Sequence, residues 1–102
     1  MFVVHGKYLV KSNSHLPQIN YRIIRSIGVS IGDVPPCIVV ENLNPDYYLL
    51  FGSLKLIVTE NGSVLSHLAI IAREYHISVF LSNEEIIEKI TEEGTLSLKE
   101  NI

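Results

Sequence analysis

Tryptophan is absent from these 102 residues, and cysteine and methionine occur once each. A lone cysteine, Cys37, excludes an internal disulfide and any paired-cysteine metal site, which fits a reducing, cytoplasmic setting. In "PPCIVV" it reads as a small apolar residue in a strand. Lysine and arginine are scattered, with no basic stripe or aromatic platform, so nucleic-acid binding is set aside. No apolar run approaches the ~20 residues that span a bilayer, and "MFVVHGKYLVK" is too short for a signal peptide, so no membrane partner is expected. Repeats, low-complexity tracts and linkers are missing too. His5, His15 and His76 stand apart from one another and from acidic pairs at ligand spacing, so no metal site is expected.

What remains is a mildly acidic chain, net −3 and 47% hydrophobic. Its length suits one core and is too short for two, so residues 1–102 are expected to form a single domain. Up to about residue 30 the pattern is weak: "FVVHGKYLV" and "NYRIIRSIGVSI" look strand-like, with "KSNSHLPQ" as a loop between them. After Gly32 it sharpens. The continuous apolar runs at 37–41 and 54–59 predict strands buried on both faces, with a third strand at 77–81. "NPDYYLLFG" has the marks of a short helix, with Asn44 as N-cap, Pro45 in the first turn and Gly52 as C-cap. "SNEEIIEKITEEG" opens with a capping box from Ser82 to Glu85, which predicts an amphipathic helix up to Gly94. "TLSLK" then reads as an edge-like strand. Strands alternating with helices predict an α/β fold, with crossover connections.

The segment "TENGSVLSHLAIIARE" carries the chemistry. A strand ending at Thr59-Glu60 turns through Asn61-Gly62-Ser63 and enters a helix near Ser66, with Leu65, Leu68, Ala69 and Ala72 on its core face. Such an entry gathers unpaired backbone N–H groups and the positive end of the helix dipole, a combination that attracts phosphate. Gly62 allows the backbone to approach a ligand closely. His67 at the first helical positions would hold an imidazole there. With an ordinary pKa of ~6.5 it is largely neutral at pH 7 and can attack phosphorus. By itself the pattern also fits a surface histidine beside a helix cap. Ser66 and His67 do not make a nucleophile–base pair, because adjacent helical side chains diverge by ~100°.

The string "TENGSVLSHLAIIAREYHISVF" resembles the signature of the mobile domain of phosphoenolpyruvate-utilising enzymes, roughly T-E-x-G-G-x-x-S-H-A-A-I-x-A-R-E-x-G-I-P-x-V. Thr59, Glu60, Gly62, Ser66, His67, Ala69, Ile70, Ala72, Arg73, Glu74 and Ile77 match in one ungapped register, and the resemblance runs from about Gly32 to Ser82. Phosphoenolpyruvate synthase, pyruvate phosphate dikinase, enzyme I of the sugar phosphotransferase system and rifampicin phosphotransferase are of this kind. The resemblance implies a swivelling β/β/α domain, with a central, mostly parallel sheet and helices packed on it. It implies that His67 accepts a phosphoryl group from phosphoenolpyruvate or ATP and passes it on. Gly62, Ser63 and Ser66 would bind the phosphate, and Thr59, Glu60 and Arg73 would support them.

The same resemblance implies that the chain binds no cofactor itself. Mg²⁺ and phosphoenolpyruvate or ATP would be held by an ATP-grasp nucleotide-binding domain, a phosphoenolpyruvate/pyruvate-binding barrel domain, or both, on the same or a separate chain. It would then be part of a phosphotransferase rather than a complete enzyme. Several positions depart from the pattern. Ser63 replaces a second glycine, Leu65 a common threonine, Leu68 a small alanine, His76 a glycine that asks for positive φ, and Ser78 a proline. These departures suit the alternative, an inactive swivelling domain that serves for docking or regulation.

Overall fold

In a computed structural model, residues 1–12, 18–25, 34–43, 52–61 and 66–100 are described, the side chains of 66–69 excepted. Six strands form along the chain: β1 (Phe2–Val10), β2 (Ile19–Ile23), β3 (Cys37–Asn42), β4 (Leu56–Asn61), β5 (Ser78–Ser82) and β6 (Glu93–Glu100). Between β4 and β5 lies α1 (Ser66–Glu74), the one helix among the described residues. The strands close into a barrel in the order β1-β5-β4-β3-β2-β6.

This corrects the expected α/β fold with a parallel sheet and helices packed on it: the chain is an all-β barrel with little helix. The reason lies in how strands are covered. A strand buried on both faces looks the same in sequence whether helices cover both sides or a barrel interior covers one. In β3, β4 and β5 the inward residues Cys37, Val39, Leu56, Val58 and Phe80 fill the barrel with Val4, Tyr21 and Leu96. Their outward neighbours Ile38, Val40, Ile57 and Val79 form a second core under Ala72 of α1, with Val10, Leu43, Leu54 and Ile77. These three strands run parallel to one another, and α1 makes the crossover between β4 and β5. β1 runs parallel to β6 and antiparallel to β5, and β2 parallel to β3 and antiparallel to β6.

The segment read as an edge strand is no edge. β6 pairs on one side with β1 and on the other with β2, closing the ring. Its alternation, with Leu96 buried and Thr95 and Ser97 half-buried, is that of any strand with one wet face.

The amphipathic helix expected over 82–94 does not form. Ser82 belongs to β5, and its hydroxyl donates to the Glu84 carbonyl at 2.7 Å and accepts the Glu84 N–H at 3.3 Å, a tight turn rather than a helix cap. A single turn follows, with the N–H groups of Lys89 and Ile90 both donating to the Ile86 carbonyl. The spacing of Ile86, Ile87 and Ile90 is helical, but one turn satisfies it by packing these side chains onto the barrel interior. Tertiary burial outweighs the local helical preference here.

The short helix expected over 44–52 lies outside the described residues up to 51, with Gly52 and Ser53 in a turn. Gly6 is required by a close approach: a β-carbon there would overlap the Leu81 carbonyl oxygen and crowd the Phe80 ring. Just beyond it, the β1–β5 register slips between Tyr8 and Val10.

Candidate functional site

The signature segment spans the end of β4, a four-residue connection and α1. Thr59 is fully buried. Its hydroxyl donates to the Asn61 carbonyl at 2.8 Å and accepts the Asn61 N–H at 3.3 Å, so it shapes the end of the strand. The Asn61 side-chain amide donates to the Glu41 carbonyl on β3 at 3.2 Å, which ties the two strand ends together.

Glu60 reaches the other way. Its Oε2 accepts the N–H of Ile86 at 2.6 Å and that of Ile87 at 2.8 Å. Both bonds are charge-assisted, and they pin the turn over the barrel end to β4. The last strand residues before the connection are therefore held from two sides.

Gly62, Ser63 and Leu65 lie outside the described residues. Ser66 and His67 are the first two residues of α1, as the sequence led us to expect, and their side chains are outside the description. The first turn of α1 contains no acidic residue, so no carboxylate of its own neutralises the positive end of the dipole. Arg73 falls in the last turn, where its charge suits the negative end, and its side chain is exposed.

The far end of α1 is sharply stopped. The Ile77 N–H donates to the Ala72 carbonyl at 2.9 Å and the His76 N–H to the Arg73 carbonyl at 3.1 Å. That is a Schellman closure with Ala72 and Ile77 buried together beneath it. His76 occupies the left-handed position at φ 60°, the conformation expected from the sequence. Of the residues predicted for the core face of α1, Ala72 is buried, and Leu65, Leu68 and Ala69 lie outside the described side chains. Ile70 points outward and is 59% exposed.

The arrangement thus places a histidine-bearing helix start at the carboxyl ends of parallel strands, after a strand end tied to two neighbours. The contact between Glu60 and 86–87 was not foreseen, since nothing in the sequence signals a pairing across that distance. No group of three or more histidine, cysteine or acidic residues able to hold a metal occurs among the described residues. Cavities of 240, 330 and 430 Å³ lie around Thr95 on the β2–β6 side, and none is lined by a predicted site residue. No helix among the described residues is long and apolar enough to cross a membrane.

Comparison with known proteins agrees with the signature. The family model described as "PEP-utilising enzyme, mobile domain" matches residues 34–99. A curated relative, the "Uncharacterized phosphotransferase YvkC" of Bacillus subtilis strain 168, is 41% identical over 59 residues. That match covers 58% of this chain and 7% of the relative, so the chain spans a small part of that protein's length.

Proposed function

Since this chain belongs to the PEP-utilising enzyme mobile-domain family, we propose that it is a phosphoryl carrier and that His67 bears the phosphoryl group. The observation that carries this reading is the ungapped signature, with Ser66-His67 falling at the start of α1. An imidazole with its ordinary pKa of about 6.5 is largely neutral at pH 7 and can attack phosphorus. The ring nitrogen's lone pair forms a P–N bond as the donor's P–O bond breaks. The donor leaves with the electron pair on oxygen, and the ring loses a proton. The phosphohistidine then carries about two negative charges beside N–H groups that favour them. Each such interaction contributes only about 0.3–1 kcal/mol when exposed, weak enough for the group to be passed on.

In this reading residues 1–102 act as one mobile domain. Gly62, Ser63 and Ser66 bind the phosphate, and Thr59, Glu60 and Arg73 support the site. The donor, phosphoenolpyruvate or ATP, and its Mg²⁺ sit in an ATP-grasp or phosphoenolpyruvate-binding barrel domain, on this chain or another, in the cytoplasm. Incubation with labelled donor and such a domain should give acid-labile label on the wild type and none on His67→Ala. Absence of label with every donor would overturn the carrier reading.

Ser63, Leu65 and Leu68 favour a second reading, in which the domain has kept its fold for docking and lost phosphotransfer. If Ser63 and Leu65 alone disable the site, Ser63→Gly with Leu65→Thr should restore labelling. Continued silence of that variant would rule out this account of the loss.

A further inference from the structure

We propose that Glu60 is a positioning residue for the start of α1, where Ser66 and His67 stand, and that the turn over 83–92 is a working part of that end of the barrel. The inference rests on the carrier reading of His67 and adds to it a contact between distant parts of the chain. The start of α1 follows Asn61 by only a few residues in the chain, so its place depends on how the end of β4 and α1 itself are held. α1 itself is held at its far end by its Schellman closure and by Ala72 in the outer core. At the β4 end, the Asn61 side-chain amide fixes the chain to the Glu41 carbonyl of β3, and the Thr59 hydroxyl holds the Asn61 carbonyl in place.

Glu60 supplies the remaining direction. Its carboxylate takes two backbone N–H groups of a segment 26 and 27 residues away, at 2.6 and 2.8 Å. Those N–H groups belong to Ile86 and Ile87, whose side chains are 0% and 8% exposed in the barrel core. The carboxylate therefore grips a point anchored by hydrophobic burial, not a loose loop. Removing it leaves two N–H groups without their acceptor and frees the strand end two residues before Gly62. A shift of about 1 Å in such an anchor is enough to misplace a reacting group.

The test uses phosphoramidate, a small phosphoryl donor that needs no partner domain. The P–N bond of the reagent breaks as the histidine P–N bond forms, and ammonia leaves with the ring proton. Labelling at His67 is read by mass spectrometry against labelling at His5, an exposed histidine on β1 that serves as an internal standard. We expect Glu60→Ala to change the His67/His5 rate ratio by about three-fold or more, at temperatures well below unfolding. The amide NMR signals of Ser66 and His67 should shift along with those of Ile86 and Ile87. Glu60→Gln keeps one carbonyl oxygen as acceptor, should fold if the alanine variant does not, and should restore part of the ratio.

A purely structural role would lower the melting temperature but leave the ratio and the Ser66 and His67 amides unmoved, and that result overturns the proposal. If wild-type His67 reacts no faster than His5, the carrier reading is what fails. The amide shifts then still decide whether Glu60 positions the start of α1.

Discussion

The wall of the barrel made by β3, β4 and β5 and the wall made by β1, β6 and β2 follow different construction rules. In the first wall, every residue from Cys37 to Val40 and from Leu56 to Thr59 is 0% exposed, as are Val79 and Phe80. Both faces of its strands are covered, inside by the barrel core and outside by the layer under α1. In the second wall burial alternates: Val4 is fully buried while its neighbours Val3 and His5 are exposed, and Ile19, Tyr21 and Ile23 point inward around an exposed Asn20. The helix whose start includes His67 follows β4 of the first wall in the chain. The candidate site thus follows strands covered on both faces, and the wet wall is left to tolerate change.

Truncation tests this contrast most strongly. Ile57→Ala, in the doubly covered wall, should cost about 2–5 kcal/mol. Val3→Thr, on the wet wall, should stay within about 0.5 kcal/mol. Urea unfolding midpoints for the two variants, taken side by side, would break the comparison if they moved together. Where the walls meet, at the β1–β5 seam, Gly6→Ala must push its methyl into the Leu81 carbonyl. A loss of about 1–3 kcal/mol is expected, read from the same unfolding curves.

The covered wall should also announce itself through pH. Burial pushes the Cys37 thiol well above its ordinary value of 9.0. The folded protein therefore keeps a proton that the unfolded chain gives up. Stability from this source is intact below about pH 9 and falls above it, by at most about 1.4 kcal/mol per pH unit. Tyr8, raised by burial and then by the Glu100 carboxylate, acts in the same sense above its ordinary 10.0. Comparing unfolding midpoints at about pH 8 and pH 10, Cys37→Ala should show the smaller loss. Native Cys37 should resist alkylation until the chain unfolds. A small gain belongs to the helix end: His76→Gly relieves a left-handed residue and should add about 0.5–1 kcal/mol, visible as a raised melting temperature.

How far the sequence could be read follows from the same contrast. The parallel strands, the helix from Ser66 and the positive φ at His76 were legible because each has a local cause: an apolar run, a signature, a missing glycine. The fold class was misread because local pattern does not say what covers a strand's second face. Residues 82–94 misled for a related reason, since Ile86, Ile87 and Ile90 have helical spacing while one turn suffices to bury them. The place of His67 was legible, whereas the grip of Glu60 on 86–87 was not, because backbone N–H groups leave no mark in a sequence.

Ring closure constrains travel. Each stave of the barrel is hydrogen-bonded along both flanks, so no single one can slide without rupturing two ladders at once. On the carrier reading, His67 would not reach a distant donor by bending of such a hoop. On that reading any long excursion must be a rigid-body journey.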